Sequence, residues 1–237
     1  MRYLLLHGFS GGPEMLSALE PPSGSVAPAL AGHLDREVSG DFSHEVERLA
    51  ALGRDCQGLF GYSLGGRLAL GILARYPQRF AHAVLVSAQP GLSSEAERVA
   101  RRAGDGRLVE LLRERGLSAF VDHWQALPLW ASQAALPDEV KAAQRELRLR
   151  HRAEGLAHSL LQHGLGEMPD LRQHLRLVES EVDVVVGERD LKFVALGQEL
   201  TQLIPRAKLT IAAGAGHNLL LERPALCAGL LRRGAGR

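Results

Sequence analysis

Lysine is nearly missing from this chain. Lys141, Lys192 and Lys208 are the only three, so almost all of the positive charge is carried by arginine. The 28 basic and 27 acidic residues leave a net charge of +1, which gives no global field to attract nucleic acid. Cysteine is as scarce. Cys56 and Cys227 have neither the spacing of a metal site nor the number for a disulfide framework, and a reduced, cytoplasmic compartment is expected. No apolar run approaches the ~20 residues needed to cross a bilayer, so no membrane partner is expected. The run Tyr3–Leu6 stops at His7-Gly8 and is too short for a secretory leader. Repeats and low-complexity segments are absent. So are a His-x-x-x-His pair, a clustered carboxylate set and a phosphate-cradling Gly-x-x-x-x-Gly-Lys. Neither a metal nor any other cofactor is expected.

What is present fits one large α/β domain. The 237 residues are 46% hydrophobic and 23% charged, enough for a substantial core. Short runs at Tyr3–Leu6, Cys56–Phe60, His82–Ser87, Val182–Val186 and Ala207–Ala212 predict strands, with Tyr3–Leu6 and His82–Ser87 buried. Ser25–Leu30 predicts a weak strand, at an edge or short, because Pro28 lies in it. Between them, Pro13–Leu19, Ser43–Leu52, the run after Ser63, Phe193–Ile204 and Pro224–Leu231 predict helices, with Leu196, Leu200 and Leu203 as one core stripe. Alternation of this kind specifies a mostly parallel sheet flanked by helices.

From Gly91 to about Leu165 the alternation stops. Ser93–Arg102, Arg107–Arg115, Leu117–Gln125, Asp138–Arg150 and Ala153–His163 predict helices with short breaks. We therefore expect a core of residues 1–90 and 166–237 with a helical cap at 91–165, inserted after the strand ending near Ser87. The many arginines of this stretch mostly mark solvated helix faces, since charged side chains are mostly exposed.

The chain centres on Leu59-Phe60-Gly61-Tyr62-Ser63-Leu64-Gly65-Gly66-Arg67. It reads Gly-x-Ser-x-Gly between a strand and a helix. In that context a strained turn holds the serine hydroxyl above the sheet edge and aims backbone N–H groups at a developing oxyanion. Gly61 and Gly65 have a steric reason to be glycine, because a Cβ would clash where strand and helix pack across the turn. A serine used this way needs a base, and the base needs an orienting carboxylate. Asp190, in Gly187-Glu188-Arg189-Asp190, and His217, in Gly216-His217-Asn218, each follow a predicted strand. Active sites of open α/β sheets sit at those strand ends. Glu188 is a rival acid, and Asp190 could instead cap the next helix. The chain order Ser63, Asp190, His217 is that of the α/β-hydrolases. There the loop after an early strand, here His7-Gly8-Phe9, supplies a second oxyanion N–H. The donors would be Phe9 and Leu64.

Several longer stretches are more specific. Leu6-His7-Gly8-Phe9-Ser10-Gly11, Gly61-Tyr62-Ser63-Leu64-Gly65-Gly66-Arg67, Pro90-Gly91-Leu92 with Glu97-Arg98, Gly187-Glu188-Arg189-Asp190 with Lys192-Phe193, and Gly216-His217-Asn218 with Glu222-Arg223-Pro224 span nearly the whole chain. Together they resemble the 2-succinyl-6-hydroxy-2,4-cyclohexadiene-1-carboxylate synthase family of the α/β-hydrolase superfamily. The resemblance implies a cofactor-free lyase of menaquinone biosynthesis that expels pyruvate from an enolpyruvyl ether, with triad-activated Ser63 as base. It also implies a small substrate carrying three carboxylates, held by Arg67, Arg101 and Arg150 with Tyr62 and Trp124 beside them. Arg148 and Arg152 lie within a helical turn of Arg150 and compete for its place. Two departures stand out. The chain begins almost at its first parallel strand, so the amino-terminal hairpin strands of the superfamily are expected to be missing or reduced. Ala29-Leu30-Ala31-Gly32-His33-Leu34 only loosely matches the usual Pro-Gly-His-Gly turn. The alternatives are a serine hydrolase of a small carboxylated ester, thioester or C–C bond substrate, and a binding protein on a hydrolase scaffold. The sequence leaves the oligomeric state open.

Overall fold

The computed structural model describes residues 1–235. Its centre is a five-stranded sheet, all parallel, in which spatial order follows chain order: β1 (Tyr3–Leu6), β2 (Gly58–Tyr62), β3 (His82–Val86), β4 (Glu181–Gly187) and β5 (Ala207–Ala212). Runs such as Val84-Leu85-Val86 are buried throughout, as strands covered on both faces must be. Successive side chains point to opposite faces, and two separate cores result. Leu4, Leu6, Leu59, Leu85 and Val184 pack on one face, and Tyr3, Leu5, Phe60, Val84 and Val185 on the other.

The expected strand at Ser25–Leu30 is reduced to a single bridge. Val26 pairs with Leu4 on the free side of β1, through bonds of 2.8 Å from Leu5 N–H to Val26 O and from Val26 N–H to Tyr3 O. Prolines at 21, 22 and 28 remove the donors a longer ladder would need. The bridge still matters. The chain leaves β1, touches its outer side at Val26, and then crosses to β2 on the inner side. That reversal is a topological switch point, and the crevice above the carboxyl ends of β1 and β2 is where such sheets bind ligands.

The helices are α1 (Phe42–Leu52), α2 (Leu64–Arg75), α3 (Glu95–Gln125), α4 (Asp138–Leu149), α5 (Ala153–His163), α6 (Arg172–Leu175), α7 (Leu191–Leu203), α8 (Leu219–Glu222) and α9 (Pro224–Ala235). Tight 3₁₀ turns occupy Pro13–Leu19 and Pro128–Ala135. Asp41 caps α1 through its carboxylate, which accepts the His44 N–H at 2.9 Å. Ser94 and Glu97 form a reciprocal capping box at the start of α3. Two of the three helices expected there are one. The Arg101 guanidinium bonds Asp105 across the expected break at 2.9 Å and holds the turn helical. Only at Gly116, with φ of 77°, does the helix kink. On α7, Leu200 is fully buried, but Leu196 and Leu203 are only partly so. Phe193 and Gly197 take the remaining inward positions.

Among the described residues, every regular element between β3 and β4 is helical. This insert has an apolar cluster of its own, formed by Val109, Leu112, Phe120, Val121, Leu156 and Leu160. The expectation missed the 3₁₀ segment at Pro128–Ala135 and the short α6, neither of which shows helical periodicity. No described helix is long and apolar enough to cross a membrane.

Candidate active site

β2 runs directly into Ser63, which sits at φ 53° and ψ −108° before α2 begins. A side-chain-bearing residue adopts such angles only where its surroundings impose them. Here they do. A Cβ on Gly65 would lie 2.2 Å from the Leu6 carbonyl oxygen and 2.5 Å from that of His7. Only glycine permits this approach, and the Gly65 N–H uses it to donate to His7 O at 3.0 Å. The end of β1 is thus pressed against the serine turn, and the loop His7–Phe9 is carried to the same place. The backbone N–H groups of Phe9 and Leu64 donate to no acceptor among the described residues, and both residues border the same cavity.

His217 lies in the loop after β5. Its Nε2 is 3.0 Å from Ser63 Oγ, and its Nδ1 is 2.7 Å from Asp190 Oδ2. The carboxylate only accepts, so Nδ1 carries the proton and the Nε2 lone pair faces the serine hydroxyl. Asp190 also caps α7, its other oxygen standing 3.5 Å from the Phe193 N–H. The two roles weighed for it are compatible, one on each oxygen. Glu188, the rival acid, accepts the Gly214 N–H at 2.7 Å instead. The imidazole is enclosed. Phe193 packs 4.5 Å from its ring and Trp130 5.6 Å, and the Ser87 hydroxyl donates to its backbone carbonyl at 2.9 Å.

Above the triad is a cavity of about 720 Å³, walled by the sheet edge below and the helical insert above. Phe9, Tyr62, Ser63, Leu64, Arg67, Arg101, Trp124 and His217 all line it; Asp190 stands behind His217. Four cations face it: Arg67, Arg101, Arg107 and Lys192. Asp105 is the one carboxylate lining it among the described residues, and that carboxylate is already engaged by Arg101. Burial pushes the Arg67 guanidinium down to about 9, with Arg101 adding to the push and Asp105 opposing it. Arginine keeps its charge at neutral pH even so. A desolvated cation of this kind is stabilised by an incoming anion. Burial likewise lowers Lys192, and Arg101 adds to it. The Tyr62 hydroxyl and the Trp124 and Trp130 indole N–H groups, on residues that line the cavity, are buried without a partner among the described residues. No three His, Cys, Asp or Glu side chains among the described residues cluster as a metal site.

Arg150 is not part of this site. It caps the end of α4, is largely exposed, and is held by Glu14 at 2.7 Å. Arg152 is exposed too, near Glu37. Arg148 is the buried member of the three. Its guanidinium lies 5.5 Å over the Trp130 ring. Burial lowers it to about 10, while nearby Tyr62 opposes the shift. The correction has a simple cause. Residues two apart on a helix differ by about 200° in direction, and only the seating of α4 selects between them.

Residues 3–230 match the Alpha/beta hydrolase family. A Bacillus subtilis (strain 168) relative, provisionally named 2-succinyl-6-hydroxy-2,4-cyclohexadiene-1-carboxylate synthase, is 34% identical over 233 residues, 93% of this chain and 85% of that protein. The chain belongs to the 2-succinyl-6-hydroxy-2,4-cyclohexadiene-1-carboxylate synthase family of α/β-hydrolases. A synthase of that name from Salmonella paratyphi B is 36% identical over 167 residues, 70% of this chain and 63% of its own length. The solved structure of MenH from S. aureus superposes with a TM-score of 0.90 at 28% identity, covering 99% of this chain and 94% of that one.

Some residues that line the cavity carry little signal in the sequence. Lys192 was visible as part of the motif after Asp190, and its place two residues beyond a strand-end acid was the available signal. Arg107, Gln89 and Trp130 carried none. Each reaches the cavity through the fold of the insert or the turn of β3, not through a local pattern.

Proposed function

We propose that this protein is a carbon–oxygen lyase of menaquinone biosynthesis. In this reading it eliminates pyruvate from 2-succinyl-5-enolpyruvyl-6-hydroxy-3-cyclohexene-1-carboxylate to give 2-succinyl-6-hydroxy-2,4-cyclohexadiene-1-carboxylate. The observation that carries the reading is the coupling of a Ser63–His217–Asp190 relay to a cavity with four cations against one engaged carboxylate. The substrate carries three carboxylates, and an apolar ester would leave those cations unpaired. The names of the relatives point the same way.

Ser63 Oγ passes its proton to His217 Nε2 and takes the proton beside the succinyl ketone. The electron pair moves onto the ketone oxygen, where the Phe9 and Leu64 N–H groups hold the enolate. The enolate then collapses, a ring double bond forms, and the ring carbon–oxygen bond to the enolpyruvyl group breaks. The departing group takes up a proton and leaves as pyruvate. Asp190 steadies the imidazolium between these steps. No acyl-enzyme forms. Donors held ready where charge develops are usually the largest catalytic term, and Arg67, Arg101, Tyr62 and Trp124 would bind the carboxylates.

The test is pyruvate release from freshly generated substrate, compared with an enzyme-free blank and with p-nitrophenyl acetate hydrolysis. Rapid pyruvate release with feeble ester cleavage supports the lyase. No acceleration over the blank, with brisk ester turnover, would replace it with a serine hydrolase.

A further inference from the structure

Three histidines outside the relay meet at one point. His7, His33 and His151 form a chain of rings, 5.0 Å from His7 to His33 and 5.4 Å from His33 to His151. All three are buried. They come from three places: the end of β1, the loop before α1, and the junction of α4 with α5.

Their hydrogen bonds fix their tautomers. His33 Nδ1 faces the Ala31 carbonyl at 3.1 Å, and the Ser10 N–H meets Nε2 at 3.1 Å. A carbonyl only accepts and an N–H only donates, so the proton is on Nδ1 and Nε2 is a bare acceptor. His7 is arranged the same way, donating from Nδ1 to Gly8 O at 2.8 Å and accepting the Leu30 N–H at 3.1 Å. The two loops therefore brace each other reciprocally. His151 extends the brace into the insert by accepting the Leu34 N–H at 2.8 Å. Burial keeps the rings neutral: it pushes His7 to about 4 and His33 well below its ordinary value.

The braced residue matters because of where it stands. Ser10 has φ of 56°, in the left-handed region that a residue with a side chain rarely adopts. It directly follows Phe9, whose free N–H is assigned above to the enolate. The loop carrying His33 is itself rigid. A Cβ on Gly32, at φ 81°, would lie 2.3 Å from the Gly155 carbonyl oxygen of α5, so loop and insert touch backbone to backbone.

We propose that His33 is a positioning residue for the reaction, its Nε2 holding the Ser10 N–H and thereby the Phe9 N–H in donor geometry. The inference rests on the reading of Phe9 as an oxyanion donor. His33 does not touch substrate. Its removal therefore lowers turnover and leaves carboxylate binding in place.

Three variants separate positioning from packing. His33→Phe keeps a ring and removes the acceptor. His33→Gln sets an amide oxygen near the place of Nε2. His33→Asn reaches only the place of Nδ1. Each is assayed for pyruvate release and for the second-order rate at which a fluorophosphonate phosphonylates Ser63, in which the serine oxygen displaces fluoride and needs the same oxyanion donors. His33→Phe and His33→Asn should lose tenfold or more in kcat and in phosphonylation rate, with KM within threefold. His33→Gln should return to within threefold of the parent. Equal losses in all three, or no loss in His33→Phe, would overturn the proposal. If His33→Phe shows no cooperative melting, the Gln and Asn variants carry the same comparison. A parent that is phosphonylated but releases no pyruvate would refute the proposed substrate, and the phosphonylation rates would still decide the role of His33.

Discussion

The sheet edge and the wall of the cavity hold their side chains by different means. At the edge, Ser63, His217 and Asp190 are tied to one another at 3.0 and 2.7 Å. Their turns are locked by backbone approaches that admit only glycine, as at Gly65. In the cavity wall, among the described residues, Arg67 has a single partner, the His163 carbonyl at 2.9 Å, and Arg101 is paired with Asp105 alone. The relay of the first region is bonded end to end without a ligand. The second sets four cations against one carboxylate, with buried polar groups that have no partner among the described residues. The relay thus rests on rigid backbone, and the cavity beside it is lined by long side chains.

The comparison breaks most sharply at Ser63. Ser63→Ala should reduce pyruvate release by ~10³-fold or more with KM little changed, as for the loss of a relay member. Retention of more than a tenth of the parent rate would remove Ser63 from the chemistry. Arg67→Ala should cost roughly tenfold to a hundredfold in kcat/KM for the anionic substrate, the scale of one lost charge-assisted bond of ~1.5–3 kcal/mol. Its p-nitrophenyl acetate activity should stay within threefold, and equal losses on both substrates would make Arg67 structural.

Two further measurements concern rigidity. Gly65→Ala places a methyl against backbone oxygens that cannot step aside; its melting temperature should fall by ~6 °C or more, on a scale of about 2–4 °C per kcal/mol for chains of this size. Acid should loosen the three-histidine brace. The unfolded chain takes up protons at these rings near pH 6.5, whereas burial delays His7 and His151 until about 4. The unfolded state then binds more protons, so stability falls as pH drops from 6.5 towards 4. The melting temperature should decline across that window, and less steeply in His33→Gln. The smallest effect is expected from Arg150→Ala, whose partner is the exposed Glu14. It should stay within twofold of the parent in kcat/KM, since exposed ion pairs contribute little.

Much of the sheet edge was legible in advance because its requirements are local. A strand, a glycine and a serine in fixed register specify the turn at Ser63. Asp190 follows the buried valine run of β4, and His217 follows the half-exposed run of β5, which alternates apolar residues with Lys208 and Thr210. The choice between Asp190 and Glu188 was not local. It depended on which carboxylate the β5 loop meets, and Glu188 is drawn off by Gly214. The helical insert was read correctly as helical and misread in its joints. Arg101 and Asp105 kept a helix intact where a break between Arg102 and Arg107 was expected. Trp130 went unseen because a 3₁₀ segment carries no 3.6-residue period.

By itself the sequence determined the alternation of strands and helices, the serine turn, the order of the relay and the family. Each is written in contacts between residues close in the chain or in motifs of fixed length. Only the tertiary structure decided which cations face the cavity. Arg148, Arg150 and Arg152 are alike in sequence, and the packing of α4 buries the first and leaves the other two to Glu14 and Glu37. The brace of His7, His33 and His151 has the same origin. Its members lie up to 144 residues apart, and their tautomers are set by backbone groups that only the folded chain brings within reach.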